Sequence, residues 1–230
     1  PSTEAAQHVL QLVDLAEEYH CIDAYSYHVC INLLCRSGTK KDAWKAADVL
    51  KRYERQVDSR NIEWAPQKAV GLYTAVITAL SRLRDEEAAQ HAMTLFRGIS
   101  SSGPRSVSPT SKTYTALIQA FANIKTPAAI GVVLGLYNEM KRLDADIKSR
   151  VRLDTIVIKS ILGCLIRVGD HENVVRVLHD VLNQIRSGRK DLADRDFLSW
   201  CMDSLPQLEA FGESQKALEI EMNRMQYSMR

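Results

Sequence analysis

Apolar residues recur along this chain at offsets of 0, 3 and 4 from five anchors, Tyr27, Tyr73, Tyr114, Ile158 and Phe197, and at offset 7 from the first four. In the second occurrence they are Tyr73, Val76, Ile77 and Leu80. That spacing lays them on one stripe of an α-helix and excludes the period-two alternation of a strand. Another apolar residue stands 23 positions after every anchor: Leu50, Phe96, Tyr137, Val181 and Ile220. The anchors themselves lie 46, 41, 44 and 39 residues apart. A fixed internal offset under variable spacing predicts a two-helix unit repeated five times with linkers of unequal length, which is the pattern of a helical solenoid.

Punctuation between the two helices of a unit falls where the pattern requires it. Ser37-Gly38, Leu83-Arg84-Asp85, Lys125-Thr126-Pro127 and Gly169-Asp170 combine helix-ending glycines, capping Asp or Thr side chains and a proline suited to a first helical turn. Second helices are predicted over 42–53, 86–99, 127–143, 171–185 and 213–225. The units run near 24–69, 70–110, 111–154, 155–193 and 194–230. Residues 1–23 form a separate segment, because Ser2 to Tyr19 reads as a second helix without its partner, either a cap or the remnant of a truncated repeat. The Ser, Pro and Gly run from Gly98 to Thr113 reads as a surface loop. Asp144 to Arg152 and Arg186 to Lys190 read as solvated turns or helix extensions.

Composition narrows the class. With 46% hydrophobic residues in 230 the chain suits a soluble array in which each hairpin buries its apolar face on its neighbours, without one deep core. The longest uncharged apolar-rich stretch, Ala69 to Ser81, is too short to span a bilayer, and no N-terminal signal pattern is present. Five cysteines without a Cys-x-x-Cys pair suggest neither a disulfide framework nor a zinc knuckle. Cys30, Cys164 and Cys201 fall on the apolar stripes and read as buried thiols. Six scattered histidines, with no phosphate loop and no nucleophile elbow, point to a protein that is not an enzyme, with neither cofactor nor metal.

Particular segments carry a family likeness. Ser-Lys-Thr-Tyr-Thr-Ala-Leu-Ile-Gln-Ala-Phe at 111–121, with Leu-Tyr-Asn-Glu-Met-Lys at 136–141, resembles the pentatricopeptide repeat. Leu-Tyr-Thr-Ala-Val-Ile at 72–77 with Leu95-Phe96 does so too, and the first and fourth units follow the motif more loosely. The tetratricopeptide repeat resembles the chain less, because it places a small residue where these helices carry Ile31, Ile77, Ile118 and Leu162. The expected fold is therefore all-α, a right-handed α-solenoid of antiparallel helix hairpins.

The resemblance implies single-stranded RNA held along the first helices, one base per repeat. Carried over by motif position, the base-reading pairs are His28 with Ala69, Thr74 with Thr110, Thr115 with Asp154, and Lys159 with Ala193. Tyr25, Gly71, Lys112 and Ile156 occupy the positions that sandwich the bases. Only Thr115 with Asp154 looks like a base-reading pair of the family, and that pair implies guanine. Arg36, Arg82 and Arg167 recur nine residues after their anchors and form a candidate cationic row, or else complement helix C-termini. Two functions fit these features. One is an organellar, mitochondrial or plastid, RNA-binding factor in gene expression. The other is a protein-binding scaffold or accessory subunit of an organellar ribosome or another large assembly, favoured by the degenerate reading pairs and a net charge of only +2.

Overall fold

The computed structural model describes residues 3–59, 66–100, 108–146, 149–204, 220 and 223. Among them are ten α-helices, one 3-10 turn and no strand, so the fold is all-α. The first helices of the units are α2 (Ala24–Ser37), α4 (Pro66–Ser81), α6 (Ser111–Ala122), α8 (Thr155–Val168) and α10 (Arg195–Ser204). The second helices are α3 (Lys40–Asp58), α5 (Glu86–Ser100), α7 (Pro127–Asp144) and α9 (His171–Arg186), preceded by α1 (Thr3–Glu18). Among the described residues no helix is long and apolar enough to cross a membrane.

Cap chemistry sets these boundaries. Gly38 and Gly169 close α2 and α8 at φ 77° and 72°, a left-handed conformation that glycine adopts without a Cβ penalty. Arg84 does the same after α4 at φ 53°, at greater steric cost. The side chains of Asp23, Thr39, Thr110, Thr126, Asp154 and Asp170 each accept a hydrogen bond from a first-turn amide of the helix they precede, satisfying a donor that has no partner within the helix.

The stripe anticipated from sequence is the core. In the first four units every residue at offsets 0, 3, 4 and 7 is buried, and Ile77, Ile118 and Leu162 are 0%, 0% and 1% exposed. Leu50, Phe96, Tyr137 and Val181 are buried as well. Ile220 departs from them, being 57% exposed; the rest of the helix expected over 213–225, Asn223 apart, lies outside the described residues. Cys30, Cys164 and Cys201 are buried as expected, Cys35 joins them, and Cys21 is exposed. Burial pushes the Cys30 thiol up to about 11, which keeps it protonated and unreactive near neutral pH.

Contacts divide the chain into two compact units, Pro1–Ile124 and Lys125–Arg230. In the first, α2 packs on α3, α4 on α5, and the first helices lie side by side as α2 on α4 and α4 on α6. Each second helix also touches the next first helix, α1 on α2, α3 on α4 and α5 on α6. A two-residue link, Gly38-Thr39, between helices packed along their length makes α2 and α3 antiparallel. In the second unit α8 packs against both α7 and α9, and α9 against the 3-10 turn Lys190–Leu192.

Polar contacts join neighbouring hairpins. The Tyr27 hydroxyl donates to Glu17 on α1, and the Tyr73 hydroxyl to Glu54 on α3. Arg52 of α3 reaches back to Asp14 and Glu17 at 2.7 Å each. Burial alone would raise the Glu17 carboxyl, but hydrogen bonds from Arg52 and Tyr27 outweigh it and hold Glu17 below its ordinary value of 4.5. A depressed folded-state pKa gives stability that is present above 4.5 and lost as pH falls through the folded value. Glu17→Gln is therefore expected to lower stability by on the order of 1 kcal/mol near neutral pH. Parent and variant should converge in urea unfolding at a pH below the folded value, where the parent carboxyl is protonated too. An equal gap at both pH values would assign the loss to packing instead.

Three sequence expectations change. The first boundary between units, placed at 69/70, is too late: α4 starts at Pro66, seven residues before its anchor, whereas α6 starts three before Tyr114. Proline at a helix start is favourable because its missing amide is one the helix leaves unused, and the extra turn buries Ala69 completely. The loop read over 98–113 is narrower, since α5 runs to Ser100 and α6 begins at Ser111; 101–107 lie outside the described residues. The connectors read as solvated turns hold a tertiary latch. Arg189 pairs with Asp144, whose side chain is only 5% exposed, and donates to the Leu153 carbonyl at 2.9 Å and to Asp191 at 2.8 Å.

Candidate nucleic-acid interface

The residues expected to meet a ligand fall on one edge of the first helices. Two before, one after and nine after an anchor lie within about 80° of helical arc. The positions two before the anchors, Tyr25, Gly71, Lys112 and Ile156, are all exposed. Tyr25 at 74% and Ile156 at 61% present large apolar surfaces to solvent on helices whose opposite stripe is fully buried. One residue after the anchors, His28, Thr74, Thr115 and Lys159 are half-buried, and nine after, Arg36, Arg82 and Arg167 are exposed. The Arg167 guanidinium folds back along α8, where a Cβ at Gly163 would stand 3.4 Å from its Nη1.

Hydroxyls link one expected pair. Thr74 Oγ1 lies 2.8 Å from Thr113 Oγ1, which lies 3.1 Å from Thr110 Oγ1, so Thr74 and Thr110 are joined through a residue that the motif comparison left out. Thr113 is fully buried and also closes a reciprocal capping box with Thr110. Lys159 repeats this register in the second unit, donating to the Asp196 carbonyl at 3.4 Å. In both cases the residue after one anchor meets the residue before the next.

The members of the other pairs have local roles. Thr115 belongs to the compact unit Pro1–Ile124 and donates to the Ser111 carbonyl at 2.8 Å. Asp154 belongs to the second, where its carboxylate caps α8 by accepting the Val157 amide at 2.9 Å. Ala69, partner of His28 in the motif, is 0% exposed inside α4 and cannot meet a base, a consequence of the early helix start. Ala193 ends the 3-10 turn and offers only a methyl group.

Charge is distributed unevenly between the helix classes. Asp and Glu make up 28 of the 230 residues, yet the first helices α2, α4, α6 and α8 contain none, while α10 departs from them with Asp196 and Asp203. Every second helix contains them, as does α1. Burial of the first helices does not explain the asymmetry, because Arg36, Lys112, Lys159 and Arg167 are kept on them. A net charge of +2 therefore averages four acid-free first helices with mixed-sign helices elsewhere. Within each of the four, positive potential is not offset by a carboxylate on the same helix.

An open trough of about 530 Å³ runs along α2, lined by Tyr25, His28, Val29, Asn32, Leu33 and Arg36. Its apolar lining with an aromatic ring at one end and a guanidinium at the other can take a planar group beside an anion. No protein-family model and no curated protein matches this chain. The site was missed by sequence reading in two respects, the Thr113 bridge and the absence of acids. The second was present in the sequence, but appears only once the residues are sorted by helix class.

Proposed function

We propose that this chain is a pentatricopeptide-like α-solenoid that binds single-stranded RNA along its first helices, without catalysis, in the expression of organelle genes. The observation that carries the reading is that the exposed edge of each of α2, α4, α6 and α8, taken helix by helix, carries no acid. Phosphate contacts dominate nucleic-acid affinity, and a carboxylate on that edge would repel each of them. The exposed Tyr25 and Ile156 support it by offering apolar surfaces on which bases can stack.

Base discrimination is expected to be slight. Ala69 and Ala193 carry no hydrogen-bonding side chain, and the Asp154 carboxylate is engaged as a cap. The protein should hold a strand by phosphate and stacking, with Thr74 and Thr115 as minor contributors. An anisotropy titration of a labelled oligouridine at about 50 and about 200 mM salt tests this, and affinity should fall at least tenfold between the two. Absence of binding at both salt concentrations, or salt-independent binding, would favour the scaffold function.

A further inference from the structure

One backbone position departs from its counterparts. Eleven residues after the first four anchors stand Gly38, Arg84, Lys125 and Gly169. Gly38 and Gly169 take the left-handed conformation that ends α2 and α8. Arg84 takes it too, at φ 53°, whereas Lys125 does not. Any residue with a Cβ is strained in that region, and glycine is the one that removes the strain. The second repeat thus holds a costly arginine where two others use glycine. Strain kept at a single position points to a role for its side chain.

That side chain has cationic company. Helices α2 and α4 lie side by side, and Lys40 at the start of α3 pairs with Asp85 at 3.2 Å, so the turns that follow α2 and α4 are adjacent. Burial pushes the Cys35 thiol in the last turn of α2 up to about 12, and the charge of Arg82 offsets part of that rise, which puts Arg82 beside the same end. Arg36, Arg82 and Arg84 are all exposed there. Among the described residues none of the three makes an ion pair. Asp85 is taken by Lys40, and Glu86 and Glu87 sit on the first turn of α5, where the helix dipole favours them.

We propose that Arg84 grips a backbone phosphate of single-stranded RNA beside Arg36 and Arg82, and that the left-handed backbone at 84 is retained for that contact. The inference rests on the RNA reading and deepens it. Guanidinium groups take phosphate oxygens in paired hydrogen bonds, and cations gathered at one end attract an anion more strongly than one alone. Complementing the dipole of α4 does not account for the position, because that effect fades beyond the last turn. Glycine at 84 would end the helix as well, without strain.

The test compares Arg84→Gly, Arg84→Ala and Arg84→Lys with the parent, by thermal unfolding and by anisotropy of labelled oligouridine across a salt series. Arg84→Gly removes charge and strain together. It should raise the melting midpoint by about 2–4 °C and weaken binding about fivefold at about 0.1 M salt, with a log-log slope lower by about 0.7, the share of one phosphate. Arg84→Ala keeps the strain, so it should lose the same affinity at the parent's midpoint. Arg84→Lys should keep the slope. So should Lys51→Ala, which removes an exposed cation of α3 and controls for net charge. Salt-dependent binding by the parent with an unchanged slope in Arg84→Gly would overturn the inference and leave the RNA reading standing. A glycine variant melting at or below the parent would overturn it as well, because the backbone would then hold no strain for a contact to offset. A parent without salt-dependent binding would remove both.

Discussion

Replacing Ile118 by alanine is expected to lower unfolding free energy by about 2–5 kcal/mol, the range for a buried large-to-small change that leaves a cavity. Ile118 is 0% exposed on α6, which packs against both α4 and α5. The missing methyl and methylene groups therefore face two neighbours that are themselves held in place, and collapse into the gap is limited. Because stability in stacked hairpins is a sum of local and nearest-neighbour terms, the loss should appear as a lower urea midpoint for the first unit. Lys112→Ala, on the exposed edge of the same helix, should leave that midpoint nearly unchanged. An Ile118→Ala protein melting within a degree of the parent would contradict the packing described above.

Changing Arg36, Arg82 and Arg167 together to alanine is expected to weaken binding of any single strand by roughly a hundredfold at about 0.1 M salt. Each phosphate contact to a single strand releases about 0.7 counterion, so three lost contacts lower the log-log salt slope by about 2. The three guanidinium groups lie on exposed positions, so their removal leaves the buried stripe intact. Thr115→Ala should leave the salt slope unchanged, because a hydroxyl neutralises no phosphate. Fluorescence anisotropy of oligouridine and oligoadenosine across a salt series measures both effects. A triple variant with the parent slope would place the phosphate contacts elsewhere.

The repeat was legible because burial and periodicity act locally. Tyr73, Val76, Ile77 and Leu80 share one stripe, and Gly38, Thr126 and Asp170 end or start helices through their own backbone preferences and side-chain oxygens. What escaped depends on distant partners. Arg189 reads as a connector residue until Asp144 and the Leu153 carbonyl, some 36 to 45 positions away, are brought beside it. Arg52, Glu17 and Tyr27 look like ordinary surface and core residues until α1, α2 and α3 converge on one carboxylate. Ala69 was misplaced because motif alignment counts from the anchor, whereas the start of α4 follows its own proline. For the site, the arginine positions were legible from their recurrence. Thr113 was hidden because a threonine just before an anchor carries no signal until its hydroxyl is found between Thr74 and Thr110.

The account turns on which face of the helices meets RNA. Ultraviolet cross-linking of the full chain to uniformly labelled oligouridine, followed by mass-spectrometric mapping of the attached peptides, reads that directly. Adducts are predicted on peptides containing Tyr25, His28, Lys112 or Lys159, within α2, α6 and α8, and not within α3, α5 or α9. Adducts concentrated on those second helices, or none under conditions where the oligonucleotide is bound, would contradict it.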